Sequence, residues 1–186
     1  MSNDSPHPDA DELLHLAMEA ARRDKHEDAI GYLRRAIGIA PEHAKAHYFL
    51  AAEHAQIGMI DRAVAGMENA VRLDPGMHTA HFQLGLLHLT SGRVTEARAA
   101  WQPLDELGET NVLFLFKTGL ERLAVDDFDA CRTYLQNGIA MNDTNPALNV
   151  DMQRVIDNLP ASGQAEKNTG QTSHVLLSGY TTDDRR

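Results

Sequence analysis

The chain has 186 residues, of which 27 are acidic and 17 are basic, so its formal net charge is −10 at neutral pH. A net negative charge repels nucleic-acid backbones and anionic membranes, and we therefore expect neither as a main partner. Apolar residues make up 42% of the chain, enough to build a core, and the single cysteine, Cys131, excludes an internal disulfide bond and a multi-thiolate metal site.

Residues 1–9 are expected to be disordered. They show neither the basic start nor the apolar run of a signal peptide. No apolar run in the sequence approaches the roughly 18 residues that a membrane span needs. The expectation is a cytoplasmic protein without membrane insertion.

From Ala10 onward the sequence repeats itself every 34 residues. Small side chains fill one column of the repeat, at Ala29, Ala63, Ala97 and Cys131, and bulky side chains fill another, at Leu33, Met67, Trp101 and Leu135. Four repeats without a gap account for residues 10–43, 44–77, 78–111 and 112–145. Self-similarity at a fixed period of this length predicts a stack of repeated structural units.

Within each repeat, the apolar residues follow the spacing of three and four that is typical of amphipathic helices, so each repeat is predicted to form two helices. The first pair is predicted at about residues 11–23 and 26–39. Gly58 and Gly92 lie where the first helix of a repeat turns into the second, and glycine tolerates a positive φ there. Pro41 and Pro75 end second helices, because proline cannot continue a helix.

The third repeat departs from this pattern at Pro103, which lies inside its second helix. Because proline has no N–H donor, we expect that helix to kink or end near residues 99–102. After the fourth repeat, Pro146 opens a further amphipathic helix, predicted at residues 146–159, whose polar back would cap the stack.

Residues 160–186 are predicted to form a flexible tail with a short apolar segment. This segment is either a passive extension or a docking segment for this protein or a neighbouring one. Its residues are Val175, Leu176, Leu177 and Tyr180.

The columns resemble the tetratricopeptide repeat family, in which small residues occupy sites 8, 20 and 27, a large residue site 24 and proline site 32. The resemblance covers residues 10–145. It implies an all-α fold, a right-handed superhelical solenoid of four helical hairpins, to which the C-terminal capping helix is added. It also implies a protein-binding surface, and the sequence contains no phosphate loop, serine elbow or zinc-protease helix that would indicate an enzyme or a cofactor.

In that family, the first helices of the repeats line a concave groove. Here the corresponding residues become more apolar along the chain, and they lack the Lys, Asn and Arg pattern that holds a peptide's terminal carboxylate. We therefore predict a groove that binds an apolar peptide or helix, while packing of the same side chains between the repeats is the alternative. The predicted groove residues are Leu14, Met18, Lys45, Tyr48, Ala52, Phe82, Leu86, Leu89, Leu113, Phe116, Leu120 and Leu123.

The ten histidines allow three interpretations. Two repeat sites hold histidine twice, at His47 with His81 and at His54 with His88. Because the family has large packed residues there, a structural role is the first interpretation. The second is a metal site, with weak candidates in two closely spaced pairs, His43 with His47 and His78 with His81. The third is a pH response through partly buried imidazoles.

The function predicted from the sequence is that of a non-enzymatic adaptor or chaperone for a protein or peptide partner. The size, the acidity and the apolar groove are similar to those of small secretion chaperones built from tetratricopeptide repeats. The groove and the tail also allow self-association. The alternatives are a permanent assembly subunit of a larger bacterial-type machine and a metal-binding protein.

Overall fold

The computed structural model describes residues 8–160, so most of the predicted N-terminal disorder and the tail segment of Val175, Leu176, Leu177 and Tyr180 lie outside the described residues. Within this range the structure consists of helices and turns, and it contains no strand. The helices are α1 (Ala10–Ala21), α2 (His26–Ile39), α3 (Ala44–Gln56), α4 (Ile60–Leu73), α5 (His78–Thr90), α6 (Val94–Trp101), α7 (Val112–Leu123), α8 (Phe128–Met141) and α9 (Pro146–Asp157), with a 3₁₀ helix at Gln102–Leu107. The prediction of an all-α fold is confirmed.

The helix ends follow the 34-residue period. Helices α1, α3, α5 and α7 begin at the residues that open the four predicted repeats, although the division into repeat domains itself stays a prediction. The turn between paired helices contains a residue with positive φ at the same site each time: Asp24 (56°), Gly58 (75°), Gly92 (76°) and Asp126 (59°). The expected glycine turns are therefore confirmed at Gly58 and Gly92, and aspartate adopts the same conformation in the other two hairpins.

Asp9 starts the first helix with a capping box. Its carboxylate accepts a hydrogen bond from the Glu12 amide at 2.8 Å, and the Glu12 carboxylate accepts one from the Asp9 amide at 3.1 Å. These two bonds satisfy backbone donors that have no partner inside the helix.

The contacts divide the chain into two units, and the division falls within α5: the first unit ends at Leu87 and the second begins at His88. In the first unit, α1 pairs with α2, α3 pairs with α4, and α2 packs against α3. A cluster of buried residues joins α1, α2 and α3, consisting of Leu13, Leu14, Ala17, Leu33, Ala36 and Ala46.

Small residues let the helices of each pair approach closely. A Cβ atom added to Gly66 on α4 would lie 2.8 Å from the Cβ of Ala51 on α3. In the second unit, where α7 pairs with α8, a Cβ at Gly119 would lie 2.6 Å from the Leu135 side chain. Ala51 and Gly119, which share the small site 8 of the repeat, are thus points of close helix contact.

Pro103 ends α6 early, as predicted. Regular helix stops at Trp101, and Pro103 lies in the first turn of the 3₁₀ helix that follows. This 3₁₀ helix packs against α7.

Helix α9 packs on α8 and begins at the predicted residue, Pro146, but it ends at Asp157, two residues before the predicted end. Hydrogen bonds connect it to α8 and to the residue that caps the C-terminus of α8. The Arg132 guanidinium on α8 donates hydrogen bonds to the carbonyl oxygens of Ile156, at 3.4 Å, and Pro160, at 3.1 Å. The Asn142 and Asn149 side chains bond to each other at 2.8 Å.

Candidate protein-binding surface

In the first unit, the predicted groove residues of α1 and α3 differ in how far they are buried. Leu14 belongs to the core shared by α1, α2 and α3, and Met18 packs against that core while remaining half-buried. Lys45 is exposed, and Tyr48 and Ala52 are half-buried. Because these three residues are spaced by three and four along α3, they lie on one face of the helix.

Tyr48 is the large side chain on this face of α3. Its ring meets the Phe49 ring edge-on, with 5.1 Å between the ring centroids. Burial raises the pKa of the Tyr48 phenol above its ordinary value, so the hydroxyl stays protonated and can donate a hydrogen bond at neutral pH. The face therefore combines a partly accessible aromatic ring with one flanking cation.

On α5, within the first unit, Phe82 is 1% exposed and Leu86 is half-buried. Phe82 is thus a core residue, whereas Leu86 retains some accessible surface. The first unit offers Met18, Lys45, Tyr48, Ala52 and Leu86 as predicted groove residues that solvent can reach.

In the second unit, most predicted groove residues are inside the core. Leu89, Phe116, Leu120 and Leu123 are buried, and only Leu113 is half-buried. The Phe116 ring lies where a Cβ at Gly138 of α8 would collide with it, so this ring faces the partner helix of its own hairpin. The role of these residues in a groove stays a prediction, and packing is the role that their burial supports.

Two histidines at equivalent repeat sites make equivalent hydrogen bonds. His47 Nε2 donates to the carbonyl oxygen of Pro41 at 2.8 Å, and His81 Nε2 donates to that of Pro75 at 3.1 Å. Each imidazole therefore connects the start of a first helix to the proline that ends the preceding repeat. This geometry supports the structural interpretation of that histidine column.

The weak metal candidates are not gathered into a site. His43 Nε2 is bonded to Asp11 Oδ1 at 3.0 Å, and the His47 imidazole is engaged by the Pro41 carbonyl. Within residues 8–160, no three side chains of His, Cys, Asp or Glu lie together as metal ligands would, so neither His78 nor His81 completes such a set.

A buried carboxylate on α3, that of Glu53, was not expected from the sequence, whereas burial of His54 agrees with the packed repeat site assigned to it. The Glu53 carboxylate is buried and bonds to His26 Nδ1 of α2 at 2.8 Å, and the next residue, His54, is also buried. The sequence did contain an indication that Glu53 is buried, because Glu53 lies seven residues after the buried Ala46 and therefore on the same face of α3. Its partner could not be read from sequence, since His26 lies 27 residues away.

Lys117 is a second buried charge that the sequence did not single out. Its ammonium group contacts the carboxylates of Asp105 on the 3₁₀ helix and, at 3.2 Å, of Glu121 on α7. It also lies 5.2 Å from the centroid of the Phe114 ring. The ion pair fastens the 3₁₀ helix to α7, and its only sequence signal is one lysine within an apolar stretch.

Cys131 is fully buried, as its place in the alanine column predicted. Burial is the main reason that the pKa of its thiol rises to about 12. At neutral pH the group is therefore a protonated thiol, which is a poor nucleophile and a poor metal ligand.

Comparison with known proteins supports the repeat interpretation. A model of the tetratricopeptide repeat family matches residues 51–102. Within residues 8–160, none of the helices is both long enough and apolar enough to span a bilayer. A search of curated proteins finds no match.

Several solved structures share the fold. The crystal structure of the APC/C hetero-tetramer Cut9–Hcn1 is 23% identical with a TM-score of 0.66, over 73% of this chain and 26% of that chain. The crystal structure of MamA is 20% identical with a TM-score of 0.60, over 71% of this chain and 77% of that one. MamA 41-end from Desulfovibrio magneticus RS-1 is 14% identical with a TM-score of 0.63, over 95% and 97% of the two chains.

The paired helices, the recurring turn and these matches define an all-α helical-repeat protein, a class that uses its repeats to build binding surfaces. The tetratricopeptide repeat model matches residues 51–102, and this is the part of the chain that is similar to that family in sequence. This chain spans only about a quarter, 26%, of the Cut9–Hcn1 chain that it matches.

Proposed function

We propose that the chain is a non-enzymatic protein-interaction module, an adaptor or chaperone, that binds an apolar peptide or helix on the face formed by its first helices. The observation that carries the proposal is a partly accessible face of α3, where exposed Lys45 and half-buried Tyr48 and Ala52 lie in one row. We call these three residues the α3 face.

The chemistry of the α3 face suits an apolar segment with an acidic neighbour. The Tyr48 ring offers apolar area together with a hydroxyl donor, which is why tyrosine is common among the residues that dominate interface energies. Ala52 leaves room beside the ring for a partner side chain. Lys45 lies one turn before Tyr48, where its ammonium group can pair with a carboxylate at the edge of the contact.

The test is quantitative capture of partners from the native host with the full chain and two variants. Tyr48→Ala removes the aromatic ring, and Lys45→Glu reverses the charge beside it. Partners that require the α3 face are expected to be depleted at least severalfold with both variants, since a central aromatic residue commonly contributes more than about 1 kcal/mol to binding.

A matched control is Arg35→Glu, which makes the same charge change at an exposed position on α2, a second helix of the same unit. It is expected to capture the same partners as the unmutated chain. If Lys45→Glu and Tyr48→Ala captured them as well as Arg35→Glu does, binding would not use the α3 face.

A second candidate is a permanent subunit of a larger assembly. The observation that favours it is a structural neighbour described as a hetero-tetramer. The two candidates differ in purification: a chaperone or adaptor should be soluble alone and exchange its partner, whereas a subunit should aggregate alone or stay complexed. Cytoplasmic location remains a prediction. Self-association through the groove or the tail is also a prediction, and the size of the purified protein in solution would test it.

A further inference from the structure

His54 on α3 is a buried titratable group with no role in the α3 face. Its side chain is 7% exposed, and its Nε2 atom is shielded from solvent and makes no hydrogen bond in the described part of the chain. A neutral imidazole tolerates this environment better than a charged one, because a buried cation without an acceptor is far costlier than a buried neutral ring.

The charged groups around His54 are unfavourable to a further cation. Helices α2 and α4 both pack against α3, and each carries an exposed arginine whose charge acts on His54, Arg34 from α2 and Arg62 from α4. The neighbouring carboxylate, Glu53, is already bonded to His26 of α2. A proton on His54 would thus add a positive charge within the field of two others, with the adjacent acid bonded to His26.

We infer that His54 makes the α2–α3–α4 packing of the first unit sensitive to acid, so that mild acidification loosens these helices. The acid sensitivity depends on the buried His54 ring, on its Nε2 atom without a hydrogen-bond partner and on the charges of Arg34 and Arg62. It does not depend on the proposed function.

The direction of the effect follows from proton linkage. Burial, with additional effects of Arg34 and then Arg62, lowers the pKa of His54 in the folded chain. Because the unfolded chain then binds the proton more readily, the stability due to neutral His54 is complete above about pH 6.5 and falls as the pH drops toward the folded pKa. Each pKa unit between the two states corresponds to about a tenfold loss in the folding equilibrium constant.

The first experiment measures urea unfolding of the full chain between about pH 8 and about pH 5. His54→Phe keeps a large ring but cannot be protonated, so its stability should fall less below about pH 6.5 than that of the unmutated chain. The control is His15→Gln, which removes an exposed histidine of α1 and should keep the full fall. A His54→Phe curve parallel to that of the unmutated chain would overturn the inference.

The second experiment is a histidine titration of the unmutated chain by NMR, which requires no folded variant at acid pH. His54→Gln identifies the His54 resonance by its loss at neutral pH. The His54 midpoint should lie below the unperturbed histidine value of about 6.5, and a midpoint at or above that value would contradict the inference.

The third experiment locates the loosening by hydrogen exchange near pH 5.5, a value below the unperturbed histidine pKa of about 6.5. Comparing the unmutated chain with His54→Phe at one pH cancels the intrinsic exchange rates. Amides of α3 and α4 should exchange faster in the unmutated chain, with α7 and α8 unchanged. Equal exchange of α3 and α4 in the two proteins would exclude the proposed location.

Discussion

The residue at the turn of each hairpin shows how one backbone conformation is reached by two residue types. Asp24 and Asp126 adopt the positive φ that Gly58 and Gly92 adopt at the same repeat site. A side chain other than hydrogen crowds the following carbonyl in this region, and aspartate tolerates it better than most residues. The recurring conformation, rather than the recurring residue, is the common element of the four hairpins.

The positive φ at the turn predicts opposite effects on stability for substitutions at Gly58 and Asp24. Gly58→Ala should destabilise the chain by about 1 kcal/mol, because alanine is strained at positive φ. Asp24→Gly should be neutral or stabilising by up to about 1 kcal/mol, because it relieves that strain. Chemical denaturation measures both. A stabilising Gly58→Ala would show that the turn relaxes to another conformation.

The buried thiol of Cys131 predicts low reactivity. With a pKa of about 12, the thiolate fraction at neutral pH lies on the order of a thousandfold below that of an exposed cysteine. Labelling with a thiol reagent should therefore be slow in the folded chain and fast in denaturant. Cys131→Ala should fold with stability within about 1 kcal/mol, because alanine fills that column elsewhere. Rapid labelling of the folded chain would mean that α8 opens readily.

At the scale of helices, packing of a pair depends on a few sites where the backbones come close. Gly119 on α7 faces the Leu135 side chain of α8, whereas Gly31 on α2 has open space where its Cβ would be. Both glycines lie inside helices, where glycine is intrinsically unfavourable. Their difference therefore reports tertiary contact and not helix propensity.

This difference predicts opposite signs for the same chemical change. Gly31→Ala should stabilise the chain by about 0.5–1 kcal/mol through helix propensity. Gly119→Ala should destabilise it by about 1–3 kcal/mol, since the added methyl group overlaps Leu135. Urea denaturation distinguishes the two. If Gly119→Ala were as stabilising as Gly31→Ala, α7 and α8 would not pack as closely as described.

At the scale of the whole molecule, each unit contains a buried histidine at the same repeat site, His54 in the first and His88 in the second, together with a different buried ion pair. The first has the pair of Glu53 with His26 beside His54, and the second has Lys117 with its two carboxylates. Because His88 of the second unit is also buried, the comparison of His54→Phe with the unmutated chain is what isolates the contribution of the first unit.

The tail segment at 175–180 remains a prediction for the full chain. Truncation after Ser162 tests whether it covers an apolar surface of this protein. If it does, the truncated chain should bind its partner more tightly or self-associate more, measured by titration and by sedimentation. Unchanged affinity and unchanged self-association would identify the tail as a passive extension.

The sequence by itself determined the helices and their repeat. Apolar spacing and the 34-residue period depend on local geometry, so paired helices, the glycine turns at Gly58 and Gly92 and the interruption at Pro103 could all be predicted. Tertiary packing decided which side chains remain accessible. Phe116 and Leu120 occupy sites that line the groove in the family, yet they are buried here, because Gly138 on α8 leaves space that the Phe116 ring fills. The surroundings of His54 were likewise decided by packing, since Arg34, Arg62 and the engaged Glu53 come from three different helices.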